Sequence, residues 1–88
     1  MQVLLVDDQP LYGLGFVQAL GQGRARADVR TAPTLVQGLQ IAAQWATLQV
    51  VLINHRLGGE DSLPGLRRFG TLHPQAGQAV LAAQPVVD

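Results

Sequence analysis

Val50-Val51-Leu52-Ile53-Asn54-His55-Arg56-Leu57-Gly58-Gly59 is the stretch on which the fold turns. Four apolar residues, three of them β-branched, stop abruptly at a polar side chain and are followed by a Gly pair. A strand buried on both faces of a parallel sheet reads this way, because neither of its faces alternates with polar residues. Asn54 is then the polar group that such a strand delivers to the carboxyl edge of the sheet, where open α/β sheets hold their ligands.

Upstream, Gln2–Val6 is a second short apolar run, ending at Asp7-Asp8. Pro10 suits the first turn of a helix, where its missing N–H is no loss. Leu11, Leu14, Val17, Ala19 and Leu20 supply that helix with an apolar face, and Gly21 and Gly23 stop it. Gly13 and Gly15 weaken it by about 1 kcal/mol each relative to Ala. They also form a lone Gly-x-Gly, which is no dinucleotide-binding turn: no third Gly follows at position 18, and the pair falls inside the helix. Asp28–Ala32, with Val29 and Ala32 apolar, predicts a weaker strand at a sheet edge. Thr34 can cap a second helix on which Leu35, Leu39, Ala42, Ala43 and Ala46 recur at helical spacing.

Downstream, Leu57–Asp61 predicts a Gly-rich loop, and Ser62 or Asp61 can cap a third helix. Its apolar residues are Leu63, Leu66, Phe69 and Leu72, with Pro64 in its first turn and Pro74 past its end. Ala79–Ala83 predicts a fourth apolar strand, closed by Pro85. The order β-α-β-α-β-α-β over residues 1–88 predicts one α/β domain, a parallel sheet with helices on both faces and right-handed crossovers. This pattern leaves the strand order open.

Composition narrows the function classes. With 48% hydrophobic and 14% charged residues, the chain is globular and poor in solubilising charge. Six arginines balance six acids, and no basic patch is large enough to hold a phosphate backbone, which argues against nucleic-acid binding. Arg24, Arg26 and Arg30 read as a solvated rim. Cysteine is absent, so neither a disulfide nor a thiolate metal site can form. His55 and His73 are too isolated to make a ligand set. His55 reads as a partly covered face residue and His73 as an ordinary helix-end histidine. Trp45 is expected to pack the end of the second helix onto the sheet. No apolar run reaches membrane-spanning length and no charged segment precedes one at the N-terminus, so the cytoplasm is the expected location.

Three polar groups therefore meet at one edge: Asp7 and Asp8 after the first strand, and Asn54 at the end of the third. Two carboxylates and a carbonyl oxygen make a hard-oxygen site of the type that holds Mg²⁺. Spacing alone leaves a second reading open, in which Asp8 caps the first helix and Asp7 is solvated. Asn54 is read first as a buried amide paired with loop backbone.

The chain resembles the receiver domain of bacterial response regulators over nearly its whole length. Val3-Leu4-Leu5-Val6-Asp7-Asp8-Gln9-Pro10-Leu11, with Gly15, is similar to the opening of receivers whose output is a helix-turn-helix domain. Val50-Val51-Leu52-Ile53, then Arg56-Leu57 and Gly59, resembles the strand and loop around the phosphorylation site, and Leu66-Arg67-Arg68 matches the usual third helix. The resemblance implies a flavodoxin-like three-layer sandwich with strand order 2-1-3-4-5. It implies that Asp7 and Asp8 stand where receivers hold Mg²⁺, and that Asn54 stands where the phosphoacceptor Asp should be. A neutral amide is a far poorer nucleophile than a carboxylate and forms no acyl phosphate; losing its charge also weakens any Mg²⁺ site. Ala82 matches the position of the switch Ser or Thr, the Gly58-Gly59 loop has Gly where members usually have Pro, and the Lys that follows the fifth strand has no counterpart in a chain without lysine. The expectation is a site dead to aspartyl phosphorylation, and no enzyme.

Receivers have five β-α units, whereas this chain reaches its fourth strand. Ala79, Val80, Leu81, Ala82 and Ala83 would then form an apolar sheet edge without a charge to discourage pairing. The expected partner is a second copy in a homodimer or small oligomer, or a signalling protein. The alternative is the regulatory N-terminal part of a DNA-binding response regulator.

Overall fold

The two most apolar runs lie side by side at the middle of one parallel sheet. A computed structural model describes residues 1–8 and 28–81 of the protein. In it β1 (Gln2–Val6) and β3 (Val50–Asn54) are the inner strands. The flanking strands are β2 (Asp28–Ala32) and β6 (Gly77–Leu81), in the order β2-β1-β3-β6, all parallel. This order agrees with the one the resemblance implied, and β2 is at an edge as its weaker apolar pattern predicted. The centre of the sheet is shared: β3 pairs with β1 on one side and β6 on the other.

Alternation along the strands sorts side chains between two faces. Leu4, Val6, Ala32, Val51 and Ile53 share one face and form the buried core with Ala42, Trp45, Leu48 and Phe69. Val3 and Leu5, which alternate with them, are buried as well. The two described helices, α1 (Leu35–Ala43) and α2 (Leu63–Leu72), both pack on the Leu4 face. The helix expected after Pro10, with its Gly stop signals, lies outside the described residues.

Helix α1 starts where Thr34, in extended backbone, accepts a hydrogen bond from the Gln37 N–H through its side chain. It ends at Ala43, earlier than the apolar spacing predicted: Ala43 is exposed and Ala46 falls beyond the helix. Trp45 is the physical reason. Its backbone N–H turns back to the Ala42 carbonyl, and its indole is buried with the Nε1–H donating to Gln2 Oε1 at 3.0 Å. Trp45 thus closes the helix onto the sheet. Arg30, expected in a solvated rim, is exposed, and its guanidinium also lies over the indole, 4.2 Å from the ring centre. Arg24 and Arg26 lie outside the described residues.

Gly38 lets α1 sit close to the sheet. A Cβ there would meet Val6 Cγ2 at 2.8 Å and Phe69 Cζ at 3.2 Å. At the far end of α2, His73 is buried rather than an ordinary exposed helix-end residue, and its Nε2–H donates to the Ala42 carbonyl at 2.6 Å. That bond joins the carboxyl ends of the two helices, at a carbonyl that also accepts the Trp45 N–H.

The last strand also departs from its expected bounds, Ala79–Ala83. It begins at Gly77, whose N–H donates to the Gln49 carbonyl at 2.8 Å, so pairing with β3 starts as soon as the His73–Ala76 turn ends. Ala82 and Ala83 lie outside the described residues.

Candidate functional site

The site is built where β1 and β3 end together. Their register sets Val6 beside Ile53, so the next residues, Asp7 and Asn54, emerge as neighbours at the carboxyl edge. The Asp7 N–H still bonds to the Ala32 carbonyl of β2 at 3.0 Å, which fixes its backbone. Asp7 is 7% exposed and Asn54 4%, and Asn54 Nδ2 donates to Asp7 Oδ1 at 3.2 Å. The amide oxygen accepts from the Arg56 N–H at 3.4 Å, so Asn54 also bonds the loop that follows it. Both parts of the sequence reading of Asn54 hold: it is a buried amide, and it is tied to loop backbone.

Asp8 is exposed, and its Oδ2 accepts from the Gly58 N–H at 3.1 Å. The loop expected over Leu57–Asp61 is a miniature hairpin. β4 (Arg56–Leu57) and β5 (Glu60–Asp61) pair antiparallel across Gly58 and Gly59. Both glycines have positive φ, 59° and 81°, as a two-residue turn matched to strand twist requires. The Arg56 guanidinium closes the hairpin by donating to the Gly59 carbonyl at 2.6 Å. A Gly pair between short flanking residues is the signal that could have revealed it.

The capping of α2 is divided between the two candidates. Ser62 occupies the cap position, but its side chain makes no capping bond; Asp61 Oδ1 accepts the Leu63 N–H at 3.0 Å instead. The Ser62 hydroxyl is buried and finds no hydrogen-bond partner among the described residues. His55 is exposed rather than partly covered, because it follows the last residue of β3 and points away from the core. The structure brings Asp7, Asp8 and Asn54 to one edge; Ala82 lies outside the described residues.

These groups make a poor nucleophilic centre. The amide nitrogen is a hydrogen-bond donor, and its lone pair is delocalised into the carbonyl. They also do not fit a tightly held Mg²⁺. The ion needs charge to offset its dehydration, and here two carboxylates stand with a neutral amide whose oxygen already accepts a backbone N–H. Among the described residues no group of three or more His, Cys, Asp or Glu side chains converges as a metal site.

No family model and no curated protein sequence matches the chain. Solved structures do. The chain is similar to a response regulator receiver domain protein from Clostridium thermocellum, with a TM-score of 0.73 at 20% identity. It has the fold of a receiver domain. That alignment covers 92% of this chain and 64% of the other, so the chain spans under two thirds of that relative's length. The receiver domain of the hybrid histidine kinase CckA is similar with a TM-score of 0.69 at 16% identity, over 98% of this chain and 88% of that one. The parallel order β2-β1-β3-β6 with helices packed on the sheet is the receiver-like, flavodoxin-like arrangement expected from the sequence. No helix among the described residues is long and apolar enough to cross a membrane.

Proposed function

We propose that this chain is a receiver-like module of two-component signalling that works by protein contact and without aspartyl phosphorylation. The observation that carries the proposal is the buried Asn54–Asp7 hydrogen bond at the carboxyl edge, in the position where the resemblance implies a phosphoacceptor. A receiver switches when its acceptor carboxylate becomes an acyl phosphate. Here the side chain at that place is an amide, held by a donor bond to Asp7 and an acceptor bond from Arg56. Ala82, at the position the resemblance matches to the switch Ser or Thr, supplies no hydroxyl. The module is not an enzyme, and Asp7 and Asp8 act as structural hydrogen-bond partners rather than as a strong cation site.

The contact surface is β6. Among the described residues this strand pairs on one side only, and Gln78, Ala79 and Val80 are exposed. The opposite edge, β2, carries Asp28 and Arg30, which discourage pairing; β6 carries no charge at all. A second copy fits this edge, since two uncharged strands can pair antiparallel about a twofold axis, each completing the other's ladder. Incubation with acetyl phosphate and Mg²⁺ followed by intact-mass measurement tests the phosphate-free part. The expected result is an unchanged mass. A gain of one phosphoryl group, lost again on mild base treatment, would refute it.

A further inference from the structure

An open groove of about 640 Å³ runs between α1 and α2, on the side of the helices away from the sheet. It is lined by Val36, Leu39, Ala43 and Leu72, with Arg68 in its wall. Val36 and Leu72 are 63% and 45% exposed, and with the exposed Ala43 they leave apolar surface open along the groove. Neither Val36 nor Leu72 contributes to the buried core.

The charge around the groove has one sign. α1 contains no charged residue, and α2 contains Arg67 and Arg68, both exposed, with no acid. The nearest acids in sequence, Glu60 and Asp61, precede α2 in the hairpin, and Asp61 already accepts the Leu63 N–H. The walls are helices whose backbone groups are bonded within themselves, so they offer nothing to the N–H and C=O groups of an extended peptide. A helical occupant brings its own backbone bonds and needs only apolar side chains on one stripe. α1 is nine residues long, about 13 Å. That length accommodates apolar side chains at i, i+3 or i+4, and i+7.

We propose that this groove docks an amphipathic helix of a partner protein, with an apolar stripe seated on Val36, Leu39 and Leu72 and a carboxylate set against Arg68. The surface is separate from β6, and the proposal does not depend on how the chain self-associates.

Fluorescence anisotropy with two labelled helical peptides tests it. Both carry leucine at the three stripe positions; one has glutamate flanking the stripe and the other lysine. The glutamate peptide is expected to bind, at low salt about tenfold more tightly than the lysine peptide. Arg68→Glu should reverse that preference, and Leu72→Ser should weaken both peptides; circular dichroism melts check that each variant remains folded. Failure of both peptides to bind, or equal binding of the two, or a preference indifferent to Arg68→Glu, overturns the proposal. So does light scattering in which Val36→Asp abolishes self-association, because the groove then belongs to a second copy.

Discussion

Replacing Asn54 by Asp restores the carboxylate expected of a receiver, and the geometry predicts that the fold resists it. Asn54 Nδ2 donates to Asp7 Oδ1 at 3.2 Å with both residues nearly buried. In Asn54→Asp the donor becomes a second anion. Two unit charges at that separation repel by about 5 kcal/mol at an effective dielectric constant near 20. Side-chain movement and entering water relieve part of this, and the lost hydrogen bond adds about 1 kcal/mol. A net loss of about 3 kcal/mol at neutral pH is expected, which is roughly 12–24 °C in Tm for a domain of this size. The repulsion raises the proton affinity of the folded pair above that of the unfolded chain. The deficit therefore shrinks as pH falls from neutrality and is full above it. Mg²⁺ should also reduce it, since three carboxylates at one edge make the charge-rich site that two do not. Asn54→Ala separates repulsion from the lost bond: it should lose about 1–3 kcal/mol with no response to pH or Mg²⁺. Thermal melts across pH with and without Mg²⁺ give the answer. An Asn54→Asp protein as stable as the wild type at neutral pH, with no gain from Mg²⁺, would contradict the reasoning.

Gly38→Ala sets helix propensity, worth about 1 kcal/mol in its favour, against overpacking of about 1–3 kcal/mol where the new methyl meets Val6 and Phe69. Urea unfolding should show a net loss of roughly 1 kcal/mol, because both neighbours are fully buried and have no room to yield; a gain in stability would show that α1 can move off the sheet. Ser62→Ala removes a buried hydroxyl that finds no partner among the described residues and should raise stability by up to about 1 kcal/mol in the same assay. A loss beyond 1 kcal/mol would mean that the hydroxyl has a partner in solution.

How much was legible in the sequence varies with the kind of signal. β1 and β3 announce themselves by unbroken apolar runs, and the polar residues that end them, Asp7 and Asn54, are neighbours by register alone. Thr34 capped its helix as read, because an ST cap is a local contact. The misses are long-range or compact. Ala46 continued the helical spacing, yet the buried Trp45 ended the helix at Ala43 by bonding back to Ala42 and to Gln2 on β1. Nothing local marks His73 as buried; its partner, Ala42, is 31 residues away. The strands of the Gly58-Gly59 hairpin are two residues each, too short for any period to show, so only the Gly pair itself marks it. The start of β6 is set by Gly77 meeting Gln49, a tertiary contact, while its apolar character suggested a later start.

The central claim, that the chain acts through contact at β6 rather than through phosphate, is tested most directly by light scattering over a concentration series of the wild type and Val80→Lys. Val80 is 41% exposed on the edge strand, so a lysine there keeps the fold and places a charge where a second β6 would pair. The account predicts a wild type whose mass doubles with concentration and a folded variant that stays monomeric. A wild type that remains a monomer throughout, or a dimer that Val80→Lys leaves intact, would contradict it.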